Sequence, residues 1–283
     1  MNAEEMVAKA KDLPPVSHAA LKLVSLLDQP AISNEDVVRV LKHDGVLTAK
    51  LLRSCNSPAW GFEEPVASVD QAVLLLGHQQ ILHVVLSLTF GGAMSVSLPA
   101  YSVEAEELWR HALITAVAAE ILVKNGADVG AEAPVAFTAG LLHDIGKLVI
   151  AQFLSPEARE AVCKLIEEKG LARVEAEKSV LGADHCETGA RLLQVWRVPE
   201  EIVEAVANHH RPAVEPRAAL STLVHVANCV AHLAGSAPGW EAYAMRASNA
   251  PAEALGLSGE SLEGMIISVR DSFEQVDRFM SIA

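Results

Sequence analysis

The stretch Gly140-Leu-Leu-His143-Asp144-Ile-Gly-Lys147 sets an imidazole and a carboxylate side by side at the close of an apolar run. Neighbouring residues on a helix point about 100° apart, so the two serve one site only where a metal ion or a helix end gathers them. A helix-capping Asp beside an incidental His is the plain alternative. More distant histidines bear on the choice. His111 stands in Glu107-Leu-Trp-Arg-His111, which puts Glu107 and His111 on one helical face. His185 lies in Asp184-His-Cys-Glu-Thr-Gly189, on a helix that begins near Asp184. His209 and His210 adjoin near the end of a helix starting at Pro199, and His225-Val-Ala-Asn228 lies on the next one.

Neutral imidazoles and carboxylates are ligands that iron, manganese, nickel and zinc accept, and a helical bundle can project them inward from several helices. One or two such divalent ions are the cofactors this set would take. A bridging Asp144 accounts for a carboxylate next to a ligand His. Water held between two ions becomes a hydroxide suited to attack phosphorus. Lys147, one turn beyond His143, is then placed to bind a phosphate oxygen; otherwise it is a solvated charge at a helix end. Taken singly, His18, His43, His78, His83 and His232 read as ordinary core or surface residues. Glu107 reads as a helix-face carboxylate, and His225 as a buried residue or an outer partner to a ligand.

Helices must position these groups. Of 283 residues, 51% are hydrophobic but only 4% aromatic, so Ala, Leu and Val supply the core, which suits packed helices. Ser33-Asn-Glu-Asp36 and Ser68-Val-Asp-Gln71 have the form of capping boxes. Pro156 and Pro199 fit first turns, Ser17 precedes an apolar run reaching Leu27, and Gly77, Gly126 and Gly170 fall near helix ends. No alternating pair of strands with a hairpin turn is evident, so the expected class is all-α. Gly, Ser and Pro between Gly91 and Ser102 mark a boundary, after which a long helix is expected from about Val103 to Lys124. The expected organisation is an N-terminal helical unit over 13–98, a helical core over 99–232 and a helical extension over 233–283. In the last, Leu262, Met265, Ile266, Val269, Phe273, Val276 and Phe279 form an apolar stripe that docks back or meets a partner.

The 22 basic and 36 acidic residues leave a formal charge of −14, a field that repels phosphate backbones and anionic membranes. Cys55, Cys163, Cys186 and Cys229 are scattered without a CxxC, which points to a reducing compartment. Met1-Asn-Ala-Glu-Glu lacks the basic start of a secretory signal. The segment from Ile81 to Ala100 carries no Asp, Glu, Lys or Arg over about membrane-spanning length. Its glycines, serines, His83 and Pro99 favour a buried helix and a loop. A cytoplasmic protein without membrane or nucleic-acid partners is expected.

The order His111, then His143-Asp144-Ile-Gly-Lys147, resembles the HD superfamily of metal-dependent phosphohydrolases. His185 with Gly189, then His209-His210, are similar to the added ligands of its HD-GYP branch. The whole chain from about Leu13 to His232 resembles the HDOD family of bacterial signalling modules. Leu13-Pro-Pro, Leu21-Lys-Leu-Val-Ser-Leu-Leu, Leu47-Thr-Ala-Lys-Leu-Leu-Arg-Ser-Cys-Asn-Ser-Pro and Pro65-Val-Ala-Ser-Val-Asp-Gln-Ala-Val-Leu-Leu-Leu-Gly77 carry that likeness. The resemblance implies an N-terminal helical unit packed on an HD-like core, with metal ligands His111, His143, Asp144, His185, His209 and His210. Two departures stand out. The HD pattern closes its site with an aspartate, where this chain has Asn228, a weaker ligand for a divalent ion. After His209-His210 the chain reads Arg-Pro-Ala-Val-Glu-Pro, without the Gly-Tyr-Pro that accompanies cyclic dinucleotide hydrolysis.

Two functions follow. The favoured one is a signal-transduction module that acts through protein partners, its HD pocket partly degenerate. The alternative is an active phosphohydrolase on a nucleotide or other phosphoester, with Asp144 and Lys147 as catalytic residues. Oligomeric state, partner and input signal are not specified by these patterns.

Overall fold

Short polar side chains mark where helices begin, because their oxygens accept from amides that have no carbonyl a turn earlier. The computed structural model describes residues 1–11, 13, 18–26, 33–127, 129–211, 220–238 and 250–280. The helices are α1 (Ala3–Lys9), α2 (His18–Leu26), α3 (Asn34–Lys42), α4 (Gly45–Cys55), α5 (Val69–Met94), α6 (Glu107–Lys124), α7 (Ala133–Leu142) and α8 (Lys147–Ile150). They continue with α9 (Pro156–Lys169), α10 (Arg173–Leu181), α11 (His185–Val195), α12 (Glu200–Asn208), α13 (Leu220–Leu233), α14 (Ala250–Ala254), α15 (Gly259–Asp271) and α16 (Phe273–Met280). No strand occurs among the described residues; one isolated bridge joins Leu98 to Val103. The fold is all-α. Ser17, Leu27 and the Arg-Pro-Ala-Val-Glu-Pro stretch beyond Arg211 lie outside the described residues.

Ser33 and Asp36 exchange hydrogen bonds with each other's backbone amides, which is the expected capping box of α3. Ser68 caps α5 through Gln71 N, but the Gln71 side chain returns to Ala67 N instead of Ser68. Two boundaries differ from expectation. Gly91 and Gly92 do not interrupt α5, which runs on to Met94. A glycine inside a helix costs only about 1 kcal/mol, and burial of Phe90 and Met94 on either side holds the helix. The sharp break in α5 is Gly77, whose φ of 76° and ψ of 160° are open to glycine. The long helix starts at Glu107, not Val103, because the 98–103 bridge and the left-handed Ser102 and Glu106 (φ 53° and 70°) occupy the residues before it.

α5 packs on α2, α3 and α4, while α6 is sheathed by α7, α13, α15 and α16. The apolar stripe of 260–280 is two helices with a break at Ser272, and both dock back. α15 lies on α6 and α13, and α16 on α6 and α5. The N-terminal α1, which precedes the expected first unit, packs on α8 and α11. Val69–Met94 and Ala133–Ile150 are long and apolar enough to cross a membrane. The second is 94% buried within the fold and the first half buried, as core helices are.

Two glycines let backbones meet beneath the histidines. A Cβ at Gly140 of α7 would stand 2.9 Å from Thr115 O and Ala116 Cα of α6. One at Gly146 would stand 1.9 Å from His185 O and 2.6 Å from Gly189 N. The His143-Asp144 turn therefore lies directly on the first turn of α11. Gly146→Ala is expected to cost at least about 3 kcal/mol, since the obstacle is backbone. Gly45→Ala, with nothing within 4 Å, should stay within about 0.5 kcal/mol. Urea denaturation of the two variants compares them, and equal stabilities would refute the close-approach account.

Candidate metal centre

Helix ends, not helix faces, deliver most of the cluster. His143 is the C-cap of α7, and Asp144 follows in the turn before α8. His185 is the first residue of α11, whose N-cap Asp184 accepts from Glu187 N. His209 is the C-cap of α12, with His210 after it. Only His111 comes from mid-helix, on α6. Arg211 donates to Asp184 Oδ2 at 2.7 Å, which ties the end of α12 to the start of α11.

These groups converge on Asp144. His143 Nε2 is 3.2 Å and His111 Nε2 3.9 Å from its Oδ2. His185 Nε2 is 3.6 Å and His209 Nε2 3.9 Å from its Oδ1. His210 completes the set through ring contacts, 4.3 Å from His209 and 5.1 Å from His185 between centroids. His111, His143, Asp144, His185 and His209 are all fully buried. The structure thus brings the six candidate ligands expected from the sequence into one cluster.

Four of the five imidazoles are oriented through Nδ1. His111 bonds Ser236 O at 2.9 Å, His143 bonds Gly140 O at 2.7 Å and His209 bonds Val206 O at 2.8 Å. His185 Nδ1 bonds Glu177 Oε2 at 2.8 Å. A proton held on Nδ1 leaves the Nε2 lone pair for a ligand. His143 Nε2, His185 Nε2, His210 Nε2 and Asp144 Oδ1 are buried without a hydrogen-bond acceptor or donor. Leaving such atoms unsatisfied is costly, and a divalent ion is the partner that nitrogen and carboxylate donors at this spacing fit. The cluster could bind metal as two adjoining groups, His111, His143 and Asp144 in one, and His185, Cys186, His209 and His210 in the other.

Charge within the cluster is divided. Burial pushes the Asp144 carboxyl up, but His143, Lys147 and His185 together outweigh it and hold it well below the usual carboxylate range. Burial disfavours charge on His185, yet the Glu177 carboxylate prevails and lifts the imidazole well above its ordinary value. Burial, reinforced by the neighbouring imidazoles, pushes His209 and His210 well below theirs, so both are neutral near pH 7.

Lys147 corrects one expectation. Its Nζ donates to Asp144 Oδ2 at 2.7 Å, and the side chain is 2% exposed. It is not a solvated helix-end charge but neutralises a buried carboxylate, because a lone buried charge is untenable. His232, read from sequence as unremarkable, lies edge-on to His111 at 4.9 Å between centroids. Glu107 is exposed and accepts from Glu104 N. His43 is an exposed helix-end residue, and His83 stacks on Phe137 and faces Glu120. His18's side chain lies outside the described residues. Asn228 is buried with Oδ1 unbonded, on the α13 face between His225, which donates to His209 O, and His232.

Sequence reasoning missed Glu177 and Tyr101. Glu177 is fully buried and accepts from both His185 N and Nδ1, while Tyr101 OH donates to its other oxygen at 2.9 Å. No local signal marks Glu177, since its role depends on α10 lying against α11. Cys186 also lies against His209, and its adjacency to His185 is the one clue the sequence offers to that placement.

The HDOD domain family's profile matches residues 13–212. The chain belongs to that family. A Treponema pallidum (strain Nichols) protein, uncharacterized, is 23% identical over 239 residues, covering 83% of this chain and 45% of its own length. The chain thus spans under half the length of that curated relative. Among solved structures, an HDOD domain protein of unknown function from Geobacter sulfurreducens is 24% identical with a TM-score of 0.70, covering 97% of this chain and 94% of that one. A candidate signal transduction protein from Marinobacter aquaeolei VT8 is 24% identical with a TM-score of 0.78, covering 100% and 61%. A candidate phosphohydrolase from Shewanella amazonensis SB2B is 23% identical with a TM-score of 0.69, covering 98% and 97%. At these identities the likeness establishes the fold alone.

Glu177 orients the His185 imidazole, a candidate ligand in this HDOD protein, so Glu177→Gln is expected to weaken divalent-metal binding about 10- to 100-fold. Titration calorimetry with Zn(II) and Mn(II) measures it, and unchanged affinity for both ions would show that Glu177 does not support the ligand set.

Proposed function

We propose that this HDOD chain is a regulatory signalling module whose HD pocket binds a metal ion without turning over a substrate, and which acts through protein partners in the cytoplasm. The observation that carries this reading is the state of Asp144. The carboxylate that would bridge two ions is sealed from solvent and already ion-paired to Lys147. A phosphoester needs access to the metal and a cation to meet it; among the described residues Asp144 has no exposed surface and Lys147 is already engaged by it. Asn228, where the HD pattern has an acid, removes a further negative charge from the pocket. The formal charge of −14 disfavours nucleic-acid partners.

His111, His143 and Asp144 would hold one divalent ion, and His185, His209 and His210 a second, from among iron, manganese, nickel and zinc. A bound ion would supply positive charge beside Asp144, with His185 giving up the proton that Glu177 favours, and would join α6, the α7–α8 turn, α11 and α12. Lys147 holds Asp144 in place, Glu177 orients His185, and Arg211 clamps the two helix ends. The second reading, an active phosphohydrolase, is favoured by the convergence of four Nε2 atoms on one carboxylate, which is the donor set such chemistry uses.

Elemental analysis of protein purified without a metal-affinity tag, joined to assays on a generic phosphodiester and on cyclic dinucleotides, separates the readings. Bound metal without hydrolysis is expected. Metal-dependent turnover lost in a folded Asp144→Ala variant would overturn the regulatory reading, and absence of stoichiometric metal would remove the metal from it. Asn228→Asp is expected to tighten metal binding; unchanged affinity would show that Asn228 does not face the ions. Lys147→Met should cost the metal-free protein about 3–5 kcal/mol by stranding Asp144, with much of the loss recovered on adding metal. Thermal unfolding with and without Zn(II) reads this, and a loss under about 1 kcal/mol would contradict the ion pair's role.

A further inference from the structure

We infer that Cys186 is a metal ligand, so that His185, Cys186, His209 and His210 form a sulfur-containing site for a thiophilic divalent ion, zinc in preference to manganese. The inference rests on the reading that the pocket binds metal. Cys186 is the second residue of α11, directly after His185, and is 1% exposed. Its Sγ lies 3.7 Å from His209 Nδ1 and 4.0 Å from Nε2, and one ligating atom from each of the four residues lies within 4.8 Å of the others. Zinc bonds of about 2.3 Å to sulfur and 2.0 Å to nitrogen place tetrahedral donors roughly 3.5 Å apart. Small side-chain rotations therefore close the set on one ion.

Two further features point to a ligand there. His185 Nε2 and His210 Nε2 are buried without hydrogen-bond partners. The cysteine forms no disulfide. A thiolate with imidazoles selects zinc over manganese, because soft sulfur disfavours the hard ion and the Irving–Williams order runs the same way. On coordination the thiol releases its proton to solvent and the sulfur donates its electron pair to the ion. Three imidazoles and a thiolate fill a tetrahedral shell, leaving no position for a reactive water, as in closed structural sites. The adjoining His111, His143 and Asp144 offer only nitrogen and oxygen, so the two halves of the pocket differ in the ions they favour.

Cobalt(II) tests this in the full chain, stripped of metal, through the near-ultraviolet sulfur-to-cobalt charge-transfer band. The wild-type protein should develop the band, lose it on adding zinc and keep it in manganese excess. Cys186→Ser should abolish the band and weaken zinc binding by more than the roughly 10- to 100-fold of an outer-sphere change, while Cys229→Ser retains both. Cobalt bound without the band, or a band that survives in Cys186→Ser, would overturn the inference while leaving the pocket reading standing. Failure of cobalt and zinc to bind at all would defeat both. Should Cys186→Ser not fold, X-ray absorption of the zinc-loaded wild-type chain decides: a sulfur at about 2.3 Å supports the site, and a shell of nitrogen and oxygen alone refutes it.

Discussion

A carboxylate with no access to water has to be compensated by its surroundings, and Asp144 is that carboxylate. Isolated ions are not tolerated in an apolar interior, so the groups around it must supply positive charge and hydrogen-bond donors. Lys147 from its own turn, His143 beside it and His185 from α11 do so, and together they overcome a burial effect that acts the other way. The arrangement of α6, α7, α11 and α12 answers to this requirement. α7, α11 and α12 each begin or end where an imidazole can face Asp144, and α6 presents His111 from mid-helix.

Meeting that requirement demands close backbones. Gly146 lies against His185 O and Gly189 N, and Gly140 against α6, at distances no Cβ tolerates. Small residues thus set the separation of helices, and charge sets what fills the space. Ala-rich α6 and apolar α7, which pack together with little bulk between them, continue the same economy of volume. An aromatic-poor composition is the sequence-level trace of it.

The pocket's outer ring works by direction more than by charge. Backbone carbonyls of Gly140, Val206 and Ser236 hold three Nδ1 atoms, while Glu177 holds the fourth. The fourth is thereby made different: a carboxylate favours the cation on His185, whereas His209 and His210 stay neutral. Tyr101, from the connector between α5 and α6, reaches Glu177 and so links that connector to the ligand shell. Two hydrogen bonds thus run from the connector to His185.

The sequence by itself determined the all-α class, the family and the identity of the six clustered donors. Helix punctuation acts within about four residues, so Ser33 and Ser68 are legible as caps and Asp184 as a helix start from the sequence alone. The His-Asp pair and its spaced histidines were legible because ligand chemistry restricts residue type. Their partners were not. Tyr101 and Glu177 are 76 positions apart, and His111 and Ser236 are 125 apart, so no local pattern records those contacts. The continuous helix through Gly91-Gly92 and the break at Ser272 also escaped, because burial of neighbours outweighs a residue's own preference. Only the tertiary structure decided that Lys147 faces Asp144, that His232 borders His111 and that Cys186 joins the histidines. Those facts follow from which surfaces are pressed together and which charges are left without water.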